Sequence, residues 1–166
     1  MSGAIDRFLG ASRAVGIHPQ VRRFPQGTKT ATDAAEAIGC QVGQIVKSLV
    51  FIADGDPLMA FTSGANRVDE RLLAVAAGVS EVRRATPDEA RAATGFAVGG
   101  TPPFGHVGAL RCFADQHLLT WDEIWAAAGT PDSVFPLTPS ELLRVSGATT
   151  ADFAQRPGGR TSPDAG

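Results

Sequence analysis

"IVKSLVFIADGDPLMAFT", residues 45–62, is the stretch from which the fold can be reasoned. Two runs rich in β-branched and aromatic residues, 45–53 and 58–62, flank Asp54-Gly55-Asp56-Pro57, where Asp-Gly suits the backbone of a tight antiparallel turn. The pair reads as a hairpin or a closely related connection. On its first strand Val46, Ser48 and Val50 point to one face, and Ile45, Lys47, Leu49 and Phe51 to the other. Lys47 therefore shares its side with large apolar groups, where an ammonium is costly to bury. The chain has 13 arginines but only two lysines, Lys29 and Lys47. Either the Lys47 stem lies on the rim of the core with its head in water, or the ammonium sits in a cavity wall. There burial would lower its pKa and an anionic or carbonyl oxygen could reach it.

Upstream, Ile5, Phe8, Leu9 and Ala11 recur at helical spacing over residues 4–15, with Gly16 as a stop. An extended piece over 17–24 leads to a helix capped by Thr30 or Thr32, running through Ala34, Ala35 and Ile38 to Gly39. Downstream, a helix over 68–77 ends at Gly78, and 79–84 reads as a strand. Thr86, Pro87 and the acids after them open a further helix. Residues 109–114 read as a strand. Residues 121–128 fit strand or helix, with strand favoured; 134–137 is a short strand, and "TPSELLRVSG" is a capped helix with a glycine stop. From Arg156 the chain is glycine, proline and polar residues, which predicts a flexible tail, 156–166, after a domain over 1–155. Helices and strands mix without regular alternation. The expected class is α+β, a single domain with a mixed, curved β-sheet flanked by helices.

At 166 residues and 43% hydrophobic content, one domain with a real core is expected. A net charge of −2 argues against affinity gained by blanketing a nucleic-acid backbone with positive charge. The pairs Arg22/Arg23, Arg67/Arg71 and Arg83/Arg84 could make local phosphate contacts or simply form a solvated mixed-charge surface. No run approaches the ~18 apolar residues of a membrane span, and the N-terminus lacks the basic and apolar pattern of an export signal, so a cytoplasmic protein away from membranes is expected. Cys40 and Cys112 form no CxxC pair and have no histidine at ligand spacing, so no metal is expected.

The second feature of interest is "GFAVGGTPPFGHVG", residues 95–108. Gly99, Gly100 and Gly105 permit backbone conformations closed to other residues, and Pro102 and Pro103 stiffen the loop. Such a loop can present amides to an oxyanion or phosphate, or be purely structural; it ends without the GK[ST] of a Walker loop and is no GxGxxG fingerprint. Ser63 lacks a nucleophile elbow, and His18, His106 and His117 have no partner that sequence assigns. His106 draws attention because it follows the glycine loop. Asp115 and His117 could share a strand face in a structural or surface role.

In order along the chain stand a T-x-T-A turn at 28–31, "QIVKSLVF" at 44–51, "RVDERLLA" at 67–74, "TGFAVGGTPPFG" at 94–105 and "AAAGTP" at 126–131. Together they resemble the YbaK-type aminoacyl-tRNA deacylase family, free-standing relatives of the editing domain inserted in some prolyl-tRNA synthetases. The likeness covers about residues 5–155. It implies metal-independent and cofactor-free hydrolysis of the ester joining a wrong, small amino acid to the 3′-terminal ribose of a tRNA, with tRNA-Pro a candidate carrier. It also implies Lys47, Gly99 and Gly100 as the catalytic set, and Phe24, Thr28, Ser48, Arg67, Pro103, Phe104, Gly105, His106 and Ala128 as substrate-binding residues. Mischarged tRNA is the implied partner, with a synthetase or an elongation factor as candidate helpers. Phe24 stands near where some relatives carry tyrosine, and Ala127 to Thr130 occupy the turn where cysteinyl-specific relatives carry a serine and two glycines. Both changes remove a hydroxyl, which sets the chain apart from the cysteinyl-specific relatives and leaves the edited amino acid open among alanine, cysteine, serine and others. A non-catalytic module binding a tRNA acceptor end or a synthetase is the alternative, and a phosphate-binding protein using the glycine loop is a third reading.

Overall fold

The computed structural model describes residues 3–24 and 30–156. Along it run α1 (Gly3–Ala14), β1 (Arg22–Arg23), α2 (Ala31–Ile38), β2 (Val46–Ala53), β3 (Asp56–Ser63), α3 (Glu70–Ala77), β4 (Val82–Arg84), α4 (Pro87–Thr94), β5 (Arg111–Asp115), β6 (Ile124–Ala127), β7 (Ser133–Leu137), α5 (Pro139–Ser146) and β8 (Thr149–Ala151). Helix ends follow local chemistry. Thr30, Thr86 and Thr138 each accept from the backbone N–H three residues on, whose own carboxylate reaches back to the cap. Gly39, Gly78, Gly95 and Gly147 close their helices in the left-handed conformation. The third helix starts later than position 68, because the Asp69 carboxylate caps it from outside.

The hairpin is the centre of the molecule. β2 and β3 pair from Val46–Ser63 to Ala53–Asp56, leaving a two-residue turn in which Asp54 (φ 47°) and Gly55 (φ 92°) are both left-handed, as the twist of a tight hairpin requires. The strands form a mixed five-stranded sheet, β4-β2-β3-β5-β8, and an antiparallel three-stranded sheet, β1-β7-β6. A single bridge, Ile45 to Trp125, joins the two. This is the α+β architecture expected, a mixed sheet flanked by helices, with the strands divided at that bridge.

One face of the hairpin, carrying Val46, Val50, Met59 and Phe61, packs on Phe8 of α1, Phe104, Phe135 and Leu142. The other, carrying Phe51, Ala53, Leu58 and Ala60, is covered by Leu73 and Ala77 of α3 and by Phe153. Alternation along the strands thus sends apolar groups into two cores at once. A smaller cluster of Ala34, Ala35, Ile45, Trp125 and Val134 fastens α2 to the three-stranded sheet. Among the described residues no helix is long and apolar enough to cross a membrane. Residues 157–166, nearly all of the expected tail, and Thr28 lie outside the described residues.

Candidate active site

β3 pairs with β2 along its whole length, but the opposite edge of β2 is shared. β4 covers residues 51–53, Ala85 N–H extends that pairing to Val50 O at 3.1 Å, and β6 meets the edge only at the Ile45–Trp125 bridge. Between them, among the described residues, 47–49 have a strand on one side only. Because Ala53 and Asp56 close the turn, Lys47, Leu49 and Phe51 bond to β3, and the main chain of Ser48 faces the gap. The split of the sheet therefore leaves a notch lined by unspent backbone groups.

A cavity of about 1000 Å³ opens at this notch. Lys47, Ser48, Arg67 and Gly99 of the expected set line it, together with Thr30, Asn66, Arg84, Thr101 and Gln155. Val46, Val50, Ala90 and Val98 give it an apolar wall. Lys47 and Gly99, 52 positions apart in sequence, thus border one hollow.

Lys47 is half-buried and its Nζ donates to the Asn66 carbonyl at 2.6 Å. Burial first, then the Arg67 and Arg84 guanidiniums, hold its pKa below the ordinary lysine value; Asp115 opposes them. Neither Arg67 nor Arg84 has a carboxylate partner among the described ion pairs, whereas Arg23 pairs with Asp132 and Arg83 with Glu89. Arg84 lies over the Phe51 ring at 5.6 Å. Among the described residues the buried Ser48 hydroxyl has no hydrogen-bond partner, nor has that of Thr62 on the strand beside it.

The glycine loop meets the cavity at one point. Gly99 is left-handed at φ 88°, and among the described residues its N–H has no hydrogen-bond partner. The Gly100 N–H instead donates to Ala97 O at 2.9 Å, so this amide is spent within the turn. Gly100 serves contact: a Cβ there would stand 2.8 Å from the Thr130 backbone. Gly105, left-handed at φ 81°, comes equally close to Ala11.

Thr28 lies outside the described residues, and the other expected binding residues are not among the described ones that line the cavity. Pro103 is buried in the loop, and Phe104 stacks with Phe8 at 5.3 Å and meets Phe135 edge-on. The His106 ring folds back so that Nε2–H donates to Pro102 O at 2.7 Å, and burial lowers its pKa. It braces the loop. Ala128 is fully buried in the core, and Phe24 packs in the cluster that holds α2. Asp132 borders the cavity with its carboxylate pKa lowered by the Thr130 hydroxyl and then by Arg23. Asn66, Arg84, Thr101 and Gln155 are not marked as site residues by the sequence, although Arg84 belongs to an arginine pair and Thr101 to the glycine loop.

Comparison with known proteins follows the same stretch of chain. Residues 25–145 match the family described as the aminoacyl-tRNA editing domain. The chain is 31% identical over 127 residues to the uncharacterised protein YwhH of Bacillus subtilis (strain 168), covering 76% of this chain and 80% of that one. It is 35% identical over 92 residues to the proline–tRNA ligase of Nitratidesulfovibrio vulgaris (strain DP4), covering 55% of this chain but only 16% of the ligase. A crystal structure described as that of a candidate trans-editing enzyme for prolyl tRNA synthetase superposes with a TM-score of 0.89 at 43% identity, covering 94% of this chain and 99% of the other.

Proposed function

The chain belongs to the aminoacyl-tRNA editing domain family, and from that premise we propose that it is a trans-acting deacylase that hydrolyses the ester of a mischarged tRNA without a metal. The observation that supports this reading is that Lys47 and Gly99, whose N–H has no hydrogen-bond partner among the described residues, line one cavity. Water attacks the ester carbonyl carbon, the bond from that carbon to the ribose oxygen breaks, and the products are a free amino acid carboxylate, a restored ribose hydroxyl and one proton released to solvent.

Such a site can be frugal because an aminoacyl ester is already activated. The Gly99 N–H donates to the carbonyl oxygen as it gains charge, and one such donor is typically worth about 2.7–4 kcal/mol. Lys47 has three N–H bonds and spends one on Asn66, which leaves two for the terminal nucleotide or a polar group of the substrate. Arg67 and Arg84 add positive charge where RNA would enter, a local contribution in a chain of net charge −2. Weak and salt-sensitive tRNA affinity follows.

The apolar wall of Val46, Val50, Ala90 and Val98 suits a small acyl group. A pocket of this kind separates substrates differing by one methylene by only about 1–3 kcal/mol, so it excludes by size rather than selecting one amino acid tightly. Mischarged tRNA-Pro is the carrier to try first, because a proline–tRNA ligase contains a matching segment. The test is ester loss over time from tRNAs charged with alanine, serine, cysteine, threonine and proline, with Lys47→Ala as control. Release of a small amino acid that is strongly slowed in the control supports the reading. Binding of tRNA with no release from any member would replace it with a non-catalytic acceptor-end module.

A further inference from the structure

Behind the Lys47 wall lies a polar cluster with no part in the scheme above. Asp115 ends β5 with a fully buried side chain, yet no lysine or arginine pairs with it among the described residues. A carboxylate taken out of water without a cation is costly unless hydrogen bonds replace its hydration. Here they come from Ser63 N–H at 3.1 Å, Asn66 Nδ2 at 2.8 Å and His117 N–H at 3.0 Å.

Asn66 is the shared member. Its Nδ2 reaches both Asp115 and His117 Nδ1 (2.7 Å), its N–H donates to Ser63 O at 2.9 Å, and its carbonyl accepts from Lys47 Nζ. The next peptide is fastened from the other end of the chain, where Gln155 N–H donates to Arg67 O at 2.8 Å. The turn that carries the lysine's acceptor is thus fixed by a network anchored on one buried charge.

We infer that Asp115 is a positioning residue for Lys47: its carboxylate, through Asn66, fixes the carbonyl that holds the ammonium at the cavity wall. The inference rests on Lys47 working in the deacylase site proposed above. Among the charged groups around the ammonium, Arg67 from the turn before α3 and Arg84 from β4 disfavour its charge, Asp115 favours it, and Glu70 of α3 lines the same cavity. The carboxylate therefore aims the lysine and also helps to keep it cationic.

With only two lysines in the chain, isotope-labelled lysine gives an NMR titration in which Lys47 is read against Lys29. Asp115→Asn removes the one carboxylate that favours the ammonium, so it should lower the Lys47 midpoint and leave Lys29 in place. The same variant should slow deacylation by about ten- to a hundredfold, yet cause no further loss in a Lys47→Ala background, because the two act as one unit. A carboxylate that merely holds the fold would cost activity in both backgrounds and leave the midpoint where it was. Should Asp115→Asn fail to fold, Asn66→Ala cuts the same link while keeping the carbonyl, and should also lower the midpoint. A folded variant of either kind with an unmoved Lys47 midpoint overturns the inference. Absence of deacylation by the unmodified protein would sink the proposed function, whereas the titration still decides the role of Asp115.

Discussion

Gly100→Ala tests whether the site depends on the close approach of the glycine loop to the loop after β6. The added Cβ would stand 2.8 Å from the Thr130 carbonyl carbon and Cα and 3.0 Å from Pro131 N, all of them backbone atoms. Carbon contacts prefer about 3.5–4.0 Å, so the two segments must part by about 0.5–1 Å. Overpacking of this kind costs about 1–3 kcal/mol. For a domain of this size that lowers Tm by about 2–12 °C, at about 2–4 °C per kcal/mol. The displacement also moves the neighbouring Gly99 amide, and a shift of about 1 Å at a reacting centre can cost about a hundredfold in rate. Gly99→Ala is the matched contrast: nothing lies closer than 3.7 Å to its Cβ, but its left-handed φ of 88° brings a penalty of about 1–2 kcal/mol from backbone conformation alone. Thermal melts paired with single-turnover deacylation read both effects. A Gly100→Ala protein with unchanged Tm and unchanged rate would refute the claim that this contact holds the loop in place.

Lys47→Met addresses pH dependence. The folded pKa of Lys47 lies below that of the unfolded chain, so between the two values the unfolded state holds a proton that the folded state has released, and stability rises with pH. Deacylation, if it needs the ammonium, should fall over the same interval; Lys47→Met should remove both trends, measured as the difference between variant and parent after subtracting spontaneous ester loss. Ser48→Ala deletes a buried, unpartnered hydroxyl while leaving the main chain intact. Chemical denaturation should show stability unchanged or raised by about 1 kcal/mol, and KM should stay within about threefold if backbone groups do the binding. Phe104→Ala empties the ring packed against Phe8 and Phe135 and should cost about 3–5 kcal/mol, read by denaturant midpoint, with the glycine loop loosened as a result.

Local signals were readable and distant ones were not. The hairpin was evident because Asp54-Gly55 meets its backbone requirement within two residues, and the helices opened by Thr86 and Thr138 because each capping box closes within four. Strand was the better choice for residues 121–128, although only Ile124–Ala127 is extended in a sheet. β8 passed unnoticed since three residues carry no periodicity, and only parallel pairing with β5 makes them a strand. The short 3-10 turns at Val42–Gln44 and Gln116–Thr120 likewise lack a pattern of their own. Lys47 announced itself by chemical misfit within an apolar run. Its acceptor did not, because the Asn66–Asp115 bond spans 49 positions and nothing local marks either end. His106 follows the candidate loop in sequence, and its ring closes onto that loop's own carbonyl, a contact that adjacency alone does not reveal.

The notch has an evolutionary reach as well. A mutation replaces side chains but leaves peptide groups standing, so a ligand held by the amides of Ser48 and Gly99 keeps those contacts through almost any substitution that preserves the fold. Val98, an exposed lining side chain, is then free to drift and alter the fit of the pocket while those main-chain groups stay in place.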